Sequence, residues 1–216
     1  LEHTALPPAE LFETLALHTR VRPDEARRVL VTAARHTLNH GLAPEQPLSK
    51  WLSSVVEAYV TAGDVHGARD ALRDRAEGLV DELCLECFHK LLAGYARQGN
   101  SRGAHAALRD MSKAGLAPDV GTMNLVLDAS RKAGNTEHIH STLDSLERME
   151  LQADVHTYGM LLAACADKAL LRVVLSVLKK MKDDGVVPTR LTFNTIVSML
   201  EERHDFNTAV AVVEAM

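Results

Sequence analysis

Aromatic residues make up only 4% of this chain, and no run of β-branched and aromatic residues alternates with polar ones as a half-buried strand would. An all-helical body is expected. Cysteine is scarce too: Cys84, Cys87 and Cys165 are too few and too unevenly spread for a disulfide framework, which points to a reducing compartment. No apolar run in the sequence approaches the ~18 residues needed to cross a bilayer. No membrane partner is expected. Positive charge is not in excess either, since 24 Lys and Arg face 29 Asp and Glu for a formal net charge of -5. That balance counts against a grip on nucleic acid along the whole length, because phosphate binding relies on Lys and Arg releasing counterions.

With 216 residues, 46% of them hydrophobic and 25% charged, the composition is that of an ordinary globular protein able to bury a sizeable core. Its organisation is repetitive. Five stretches follow one template, starting at Lys50, Glu86, Gly121, His156 and Leu191, at successive offsets of 36, 35, 35 and 35 residues. A fixed period in this range marks a solenoid, in which each helix pair packs chiefly on its neighbours.

The alignment columns carry the argument. The third position holds Leu52, Phe88, Met123, Tyr158 and Phe193, the sixth Val55, Leu91, Val126, Leu161 and Ile196, and the seventh Val56, Leu92, Leu127, Leu162 and Val197. With Tyr59, Tyr95, Ser130, Cys165 and Leu200 next on the stripe, the spacing predicts one amphipathic helix per unit. A break follows at Gly63, Gly99 and Gly134, replaced by Ala169 and His204 in the last copies. A second stripe runs through Ala68, Ala104, Ile139, Val174 and Ala209, then Leu72, Leu108, Leu143, Leu178 and Val213, then Arg75, Met111, Leu146, Met181 and Met216. Gly115 and Gly185 offer the left-handed turn that ends the second helix, and Pro118 and Pro188 forbid its continuation.

Residues 1–49 fit the template poorly and are expected to form a divergent helical pair capping the stack, with a helix start at Pro23, Asp24 and Glu25 and an end near Gly41. The chain begins at Leu1 rather than Met and stops at Met216 inside a second helix, so a targeting segment and further sequence are expected outside it.

The run Thr157-Tyr158 with Leu161-Leu162, the run Thr192-Phe193-Asn194-Thr195-Ile196, and the endings Gly115-Leu116-Ala117-Pro118-Asp119 and Gly185-Val186-Val187-Pro188 resemble the pentatricopeptide repeat. The resemblance covers residues 50–216, as units 50–85, 86–120, 121–155, 156–190 and a truncated 191–216. Tetratricopeptide repeats, helix pairs with a period of about 34 residues, are the nearest alternative. They are disfavoured but stay open: the column where they carry Gly holds Glu57, Ala93, Asp128, Ala163 and Ser198 here.

The resemblance implies a right-handed α-solenoid of stacked antiparallel helix pairs whose first helices line a groove for single-stranded RNA, at about one base per repeat. In the family two residues per unit usually read the base, the fourth and the one two before the next unit. They pair here as Ser53 with Cys84, His89 with Asp119, Asn124 with Asp154 and Gly159 with Thr189, while Asn194 has no mate within the chain. Asn124 with Asp154 matches a family combination associated with uracil, an amide and a carboxylate sharing one pyrimidine edge. The first position, usually aliphatic and wedged against bases, holds Lys50, Glu86, Gly121, His156 and Leu191. The twelfth, often basic and close to the phosphates, holds Thr61, Arg97, Lys132, Asp167 and Glu202, so RNA contact is expected at the middle repeats. The expectation is a non-catalytic RNA-binding protein of organellar RNA metabolism or translation, mitochondrial with the plastid as alternative. A second reading is a scaffold subunit of an organellar ribonucleoprotein such as the mitochondrial ribosome, binding mainly ribosomal or other protein subunits. A third is the substrate-binding arm of an enzyme whose catalytic domain lies beyond Met216.

Other constellations carry less. Cys84, Cys87 and His89 could present part of a zinc site, but a structural site needs four ligands and no second cysteine pair exists, so neither metal nor cofactor is expected. His36 and His40 share a helix spacing without the intervening Glu of a metalloprotease, and His138 and His140 are too close in sequence to share a helix face. Gly94 to Gly99 with Ser101 copies the spacing of a phosphate-binding loop, yet Asn100 stands where its Lys should be. Met111, Met181 and Met216 read as core, and Asp183 and Asp184 beside Lys179 and Lys180 as a solvated helix end.

Overall fold

The structure, a computed structural model, describes residues 23–28, 31–32, 48–73, 85–166 and 171–202. Helices occupy α1 (Leu48–Thr61), α2 (Val65–Arg73), α3 (Leu85–Gln98), α4 (Ser101–Lys113), α5 (Val120–Lys132), α6 (Thr136–Arg148), α7 (Val155–Ala166), α8 (Leu171–Asp183) and α9 (Arg190–Glu202). No strand occurs among the described residues. Contacts divide the chain into two units, Leu1–Tyr95 with His105–Pro118, and Ala96–Ala104 with Asp119–Met216.

In the first unit the stripe predicted for α1 is the face it buries, with Leu52, Val55, Val56 and Tyr59 all inaccessible to solvent. Gly63 then takes φ 84°, a left-handed conformation that costs Gly little, and the chain turns. Hydrogen bonds from the Gly63 N–H to Val60 O and from the Asp64 N–H to Tyr59 O satisfy the carbonyls that the ending helix exposes. Asp64 caps α2 by accepting the Gly67 N–H at 2.8 Å. Phe88, Leu91, Leu92 and Tyr95 of α3 add to this core, and Gly94 lets α3 approach α1, since a Cβ there would lie 2.9 Å from Val60 Cγ1. Arg69 of α2 donates to Asp110 of α4 at 2.7 Å. Of the expected N-terminal cap, residues 23–28 are helical, as Pro23, Asp24 and Glu25 predict, and Asp24 accepts the Tyr59 hydroxyl at 2.6 Å.

In the second unit α7 packs against its pair-mate α8 and against both α5 and α9, so first helices lie beside first helices. Its core joins Leu127, Ile139, Tyr158, Leu161, Leu162, Val174, Met181 and Ile196. The sixth-position column is buried in every copy, and each such side chain contributes about 1.5–3 kcal/mol relative to exposure. Methionines Met111 and Met181 are buried, as expected of core residues. Phe193 and Val197 are only half-buried.

The second helices end alike at Gly115 (φ 78°), Glu150 (φ 53°) and Gly185 (φ 70°), where Leu116, Leu151 and Val186 donate their N–H groups to Met111, Leu146 and Met181. Glu150 is the exception among them: it holds with an L side chain a conformation that its neighbours reach with Gly. The breaks expected at Ala169 and His204, the positions Arg75, Ala209, Val213 and Met216, the pair His36 and His40, and most of segment 1–49 lie outside the described residues.

Candidate nucleic-acid interface

The column two residues before each unit does local work first. Asp119 Oδ1 accepts the backbone N–H of Thr122 at 2.7 Å, and Asp154 Oδ1 accepts that of Thr157 at 2.7 Å. Each thereby caps the first helix of its unit. Thr189 stands in the same relation to Thr192, more weakly, at 3.4 Å. The threonine three residues on completes the motif: Thr122, Thr157 and Thr192 are all buried, and Thr122 Oγ1 in turn accepts the Asp119 N–H at 3.3 Å.

Thr157 joins the two residues singled out as a uracil-type pair. Its hydroxyl lies 2.7 Å from Asn124 Oδ1 on α5 and 2.8 Å from Asp154 Oδ1. One hydroxyl proton cannot serve both acceptors at once. With the amide turned over, Asn124 donates to the hydroxyl and the hydroxyl to the carboxylate, leaving the Asn124 carbonyl oxygen to accept from a ligand. The Thr157 N–H, the largest influence on Asp154, together with the hydroxyl holds the carboxyl below its usual value, against a smaller opposing effect of burial. Gly159, one unit further on, faces open space where a side chain would stand.

The other residues of the expected interface are placed less uniformly. Ser53 is 1% exposed, and its hydroxyl donates to Glu86 Oε1 at 3.0 Å. Glu86 also pairs with Lys90 at 3.0 Å, and Lys90 with Glu57 at 2.7 Å. The hydrogen bond from Lys90, then that from Ser53, holds the Glu86 carboxyl below the usual range. The mate of Ser53, Cys84, lies outside the described residues, and Cys87 is buried with its thiol 3.6 Å from Ser49 O. His89 is half-buried on α3 in the first unit, whereas Asp119 begins α5 in the second. Asn194 is exposed on α9.

Of the two expected phosphate contacts, Arg97 is exposed near the end of α3. Lys132 is not an isolated cation: its Nζ lies 2.7 Å from Asp128 Oδ2, and Arg131 reaches Oδ1 of the same carboxylate at 2.9 Å. Burial opposes ionisation of Asp128, but the hydrogen bonds from Lys132 and Arg131 outweigh it and hold the carboxyl below its usual value. Asp128 leaves one net positive charge on this three-residue cluster.

Two polar clusters escaped the sequence reading because their members lie 26 to 37 residues apart. Ser101, buried under the second unit's helices, meets Ser130 Oγ at 3.2 Å and His138 Nδ1. The helix end expected to be solvated has Lys179, Asp183 and Asp184 exposed, and it also forms a junction: Asp184 accepts the Tyr158 hydroxyl and lies 3.4 Å from Lys180 Nζ, which is 3.3 Å from Glu147. Burial first, then this carboxylate, pushes the Tyr158 phenol up. Among the described residues no group of three or more His, Cys, Asp or Glu is placed to hold a metal ion. No helix among them is long and apolar enough to cross a membrane.

Helix pairs at a period of 35 residues, ended by left-handed Gly turns and packed first helix on first helix, define an all-α helical repeat protein. The pentatricopeptide repeat domain matches residues 83–140 and 141–203, and the chain belongs to that family. Solved structures share the fold. One is the pentatricopeptide repeat protein PPR10 in complex with an 18-nt psaJ RNA element, at 20% identity and a TM-score of 0.63 over 94% of this chain. PPR10 from maize matches at 19% identity and a TM-score of 0.64 over 99% of the chain. The PPR domain of Arabidopsis thaliana protein-only RNase P 1, in complex with tRNA, matches at 15% identity and 0.59 over 74% of this chain and 84% of its own. The chain spans 29% and 32% of the length of the two PPR10 chains. No curated protein matches it significantly.

Proposed function

We propose that this chain is a non-catalytic single-stranded RNA-binding module serving RNA metabolism or translation in a mitochondrion or plastid. The observation that carries the reading is the juxtaposition of Asn124 and Asp154 through the Thr157 hydroxyl, which holds an amide and a carboxylate together at the edge of two adjacent first helices. Family membership supports it, as do the RNA-bound states of two proteins that share the fold. Asn124 and Asp154 read one base, Arg97 and Lys132 meet the phosphates beside it, and the flanking columns add little sequence discrimination.

The test is titration of the chain with U-rich and A-rich single-stranded RNA across a salt series. Lys132→Glu is expected to weaken binding and to lower the slope of log K against log salt by about one or more, since a phosphate contact is lost and Asp128 keeps only Arg131 as a cationic partner. Unchanged affinity and slope would reject the assignment.

A second reading is favoured by the first unit, where Ser53 is sealed beneath Glu86 and a carboxylate stands at the column expected to wedge against bases. In that reading the chain is a scaffold subunit of an organellar ribonucleoprotein that binds mainly protein. RNA binding that depends on sequence would refute it.

A further inference from the structure

Between α6 and α8 in the second unit lies a cavity of about 440 Å³, open to solvent. Its apolar wall is made by Leu146, Leu151, Tyr158 and Val186, and its charged rim by Glu147, Glu150, Asp184 and Lys180. Three carboxylates face one ammonium, and that ammonium is already divided between Glu147 and Asp184. Glu150 donates its backbone N–H to Glu147 O at 3.1 Å, while the residue stands exposed at φ 53°. Met149 and Val187, two of the large apolar side chains left exposed, adjoin the rim residue Glu150 and the wall residue Val186 in the chain; Val187 is 77% exposed. The corresponding cavity between α2 and α4 in the first unit is smaller, about 180 Å³, and carries Arg69, Arg73 and Lys113 against Asp110. Among the described residues the charge lining the two cavities therefore differs in sign.

We infer that the cavity between α6 and α8 is a docking site for an arginine-bearing apolar segment of a protein partner. An apolar wall takes the aliphatic body of such a segment, and the unbalanced carboxylates take its guanidinium, which pairs with them in a fork geometry that Lys lacks. RNA does not fit, because its phosphates would meet the acidic rim. The backbone at Glu150 agrees: a carboxylate is kept where the adjoining repeats relax to Gly, and strain of this kind persists where a side chain is needed. The inference is independent of the RNA reading, since none of these residues belongs to the Asn124 and Asp154 pair.

The probe is the peptide acetyl-Leu-Arg-Leu-amide, with its Glu counterpart as control, titrated into the full chain while backbone amide NMR shifts are followed. Saturable shifts confined to 146–153 and 180–187 are expected with the Arg peptide and absent with the Glu peptide. Glu150→Lys should weaken binding at least about fivefold through like-charge contact. Glu150→Gly separates the two roles of the residue. It should raise the melting temperature by about 2–4 °C while weakening the peptide, an opposition that a purely structural role would not produce. No shifts at these residues, equal response to both peptides, or undiminished binding in both variants would overturn the inference. So would shifts at the same residues on adding U-rich RNA, which would assign the cavity to nucleic acid.

Discussion

Replacing Asp154 by alanine removes the group that caps α7 and that anchors the Thr157 hydroxyl. An N-cap carboxylate is worth about 1 kcal/mol, within a range of roughly 0.5–2. Thr157 is fully buried, so its hydroxyl then depends on Asn124 alone, 2.7 Å away, and the total cost should be about 1–2 kcal/mol. In a chain of this length that is a fall in melting temperature of about 2–8 °C, measurable by far-ultraviolet circular dichroism. Asp154→Asn is the informative control, since asparagine caps nearly as well as aspartate. At neutral pH it should match the parent within a few tenths of a kcal/mol. The two should part in acid. The folded chain holds the Asp154 carboxyl below the 3.8 of an unperturbed aspartate, so its contribution is complete above that value and is lost as pH falls through the lower, folded one. The parent should therefore lose stability below pH 3.8 relative to the asparagine variant. An alanine variant as stable as the parent, or parent and asparagine curves that run parallel through acid, would refute the capping account.

Two glycine substitutions test the packing and the turns separately. Gly94→Ala puts a Cβ 2.9 Å from Val60 Cγ1 and 3.0 Å from Val65 Cγ1, and overpacking should cost about 1–3 kcal/mol in urea unfolding, beyond any gain in helix propensity. Gly115→Ala meets no atom within 4 Å, so its cost should be the left-handed backbone alone, about 1–2 kcal/mol. A larger loss at Gly115 than at Gly94 would reverse the packing argument.

The helical repeat was legible because its signals are local. Apolar spacing sets the buried stripe, and Gly63, Gly99, Gly115, Gly134 and Gly185 stand where φ is positive. The third copy's turn was not legible, because Glu150 replaces the Gly that marks the others. Asn124 and Asp154 could be paired through the family resemblance, but Thr157 as the link between them could not: a buried threonine at the start of a helix looks like any other half-apolar residue. Lys132 was placed by its column alone, although Asp128 lies one turn before it, a spacing that favours pairing. The acidic cavity was hidden for another reason. Glu147 and Glu150 lie at the end of α6 and in the turn after it, Lys180 and Asp184 likewise at α8, and only stacking brings their charges to one rim.

Asp119, Asp154 and Thr189 hold helix ends with the same side chains that the family resemblance assigns to recognition. Evolution cannot vary such a column freely. Whatever the position comes to distinguish at these three places, it does so with short oxygen-bearing side chains that also fasten the backbone. Apolar or long basic replacements would alter preference only by loosening the scaffold that presents them.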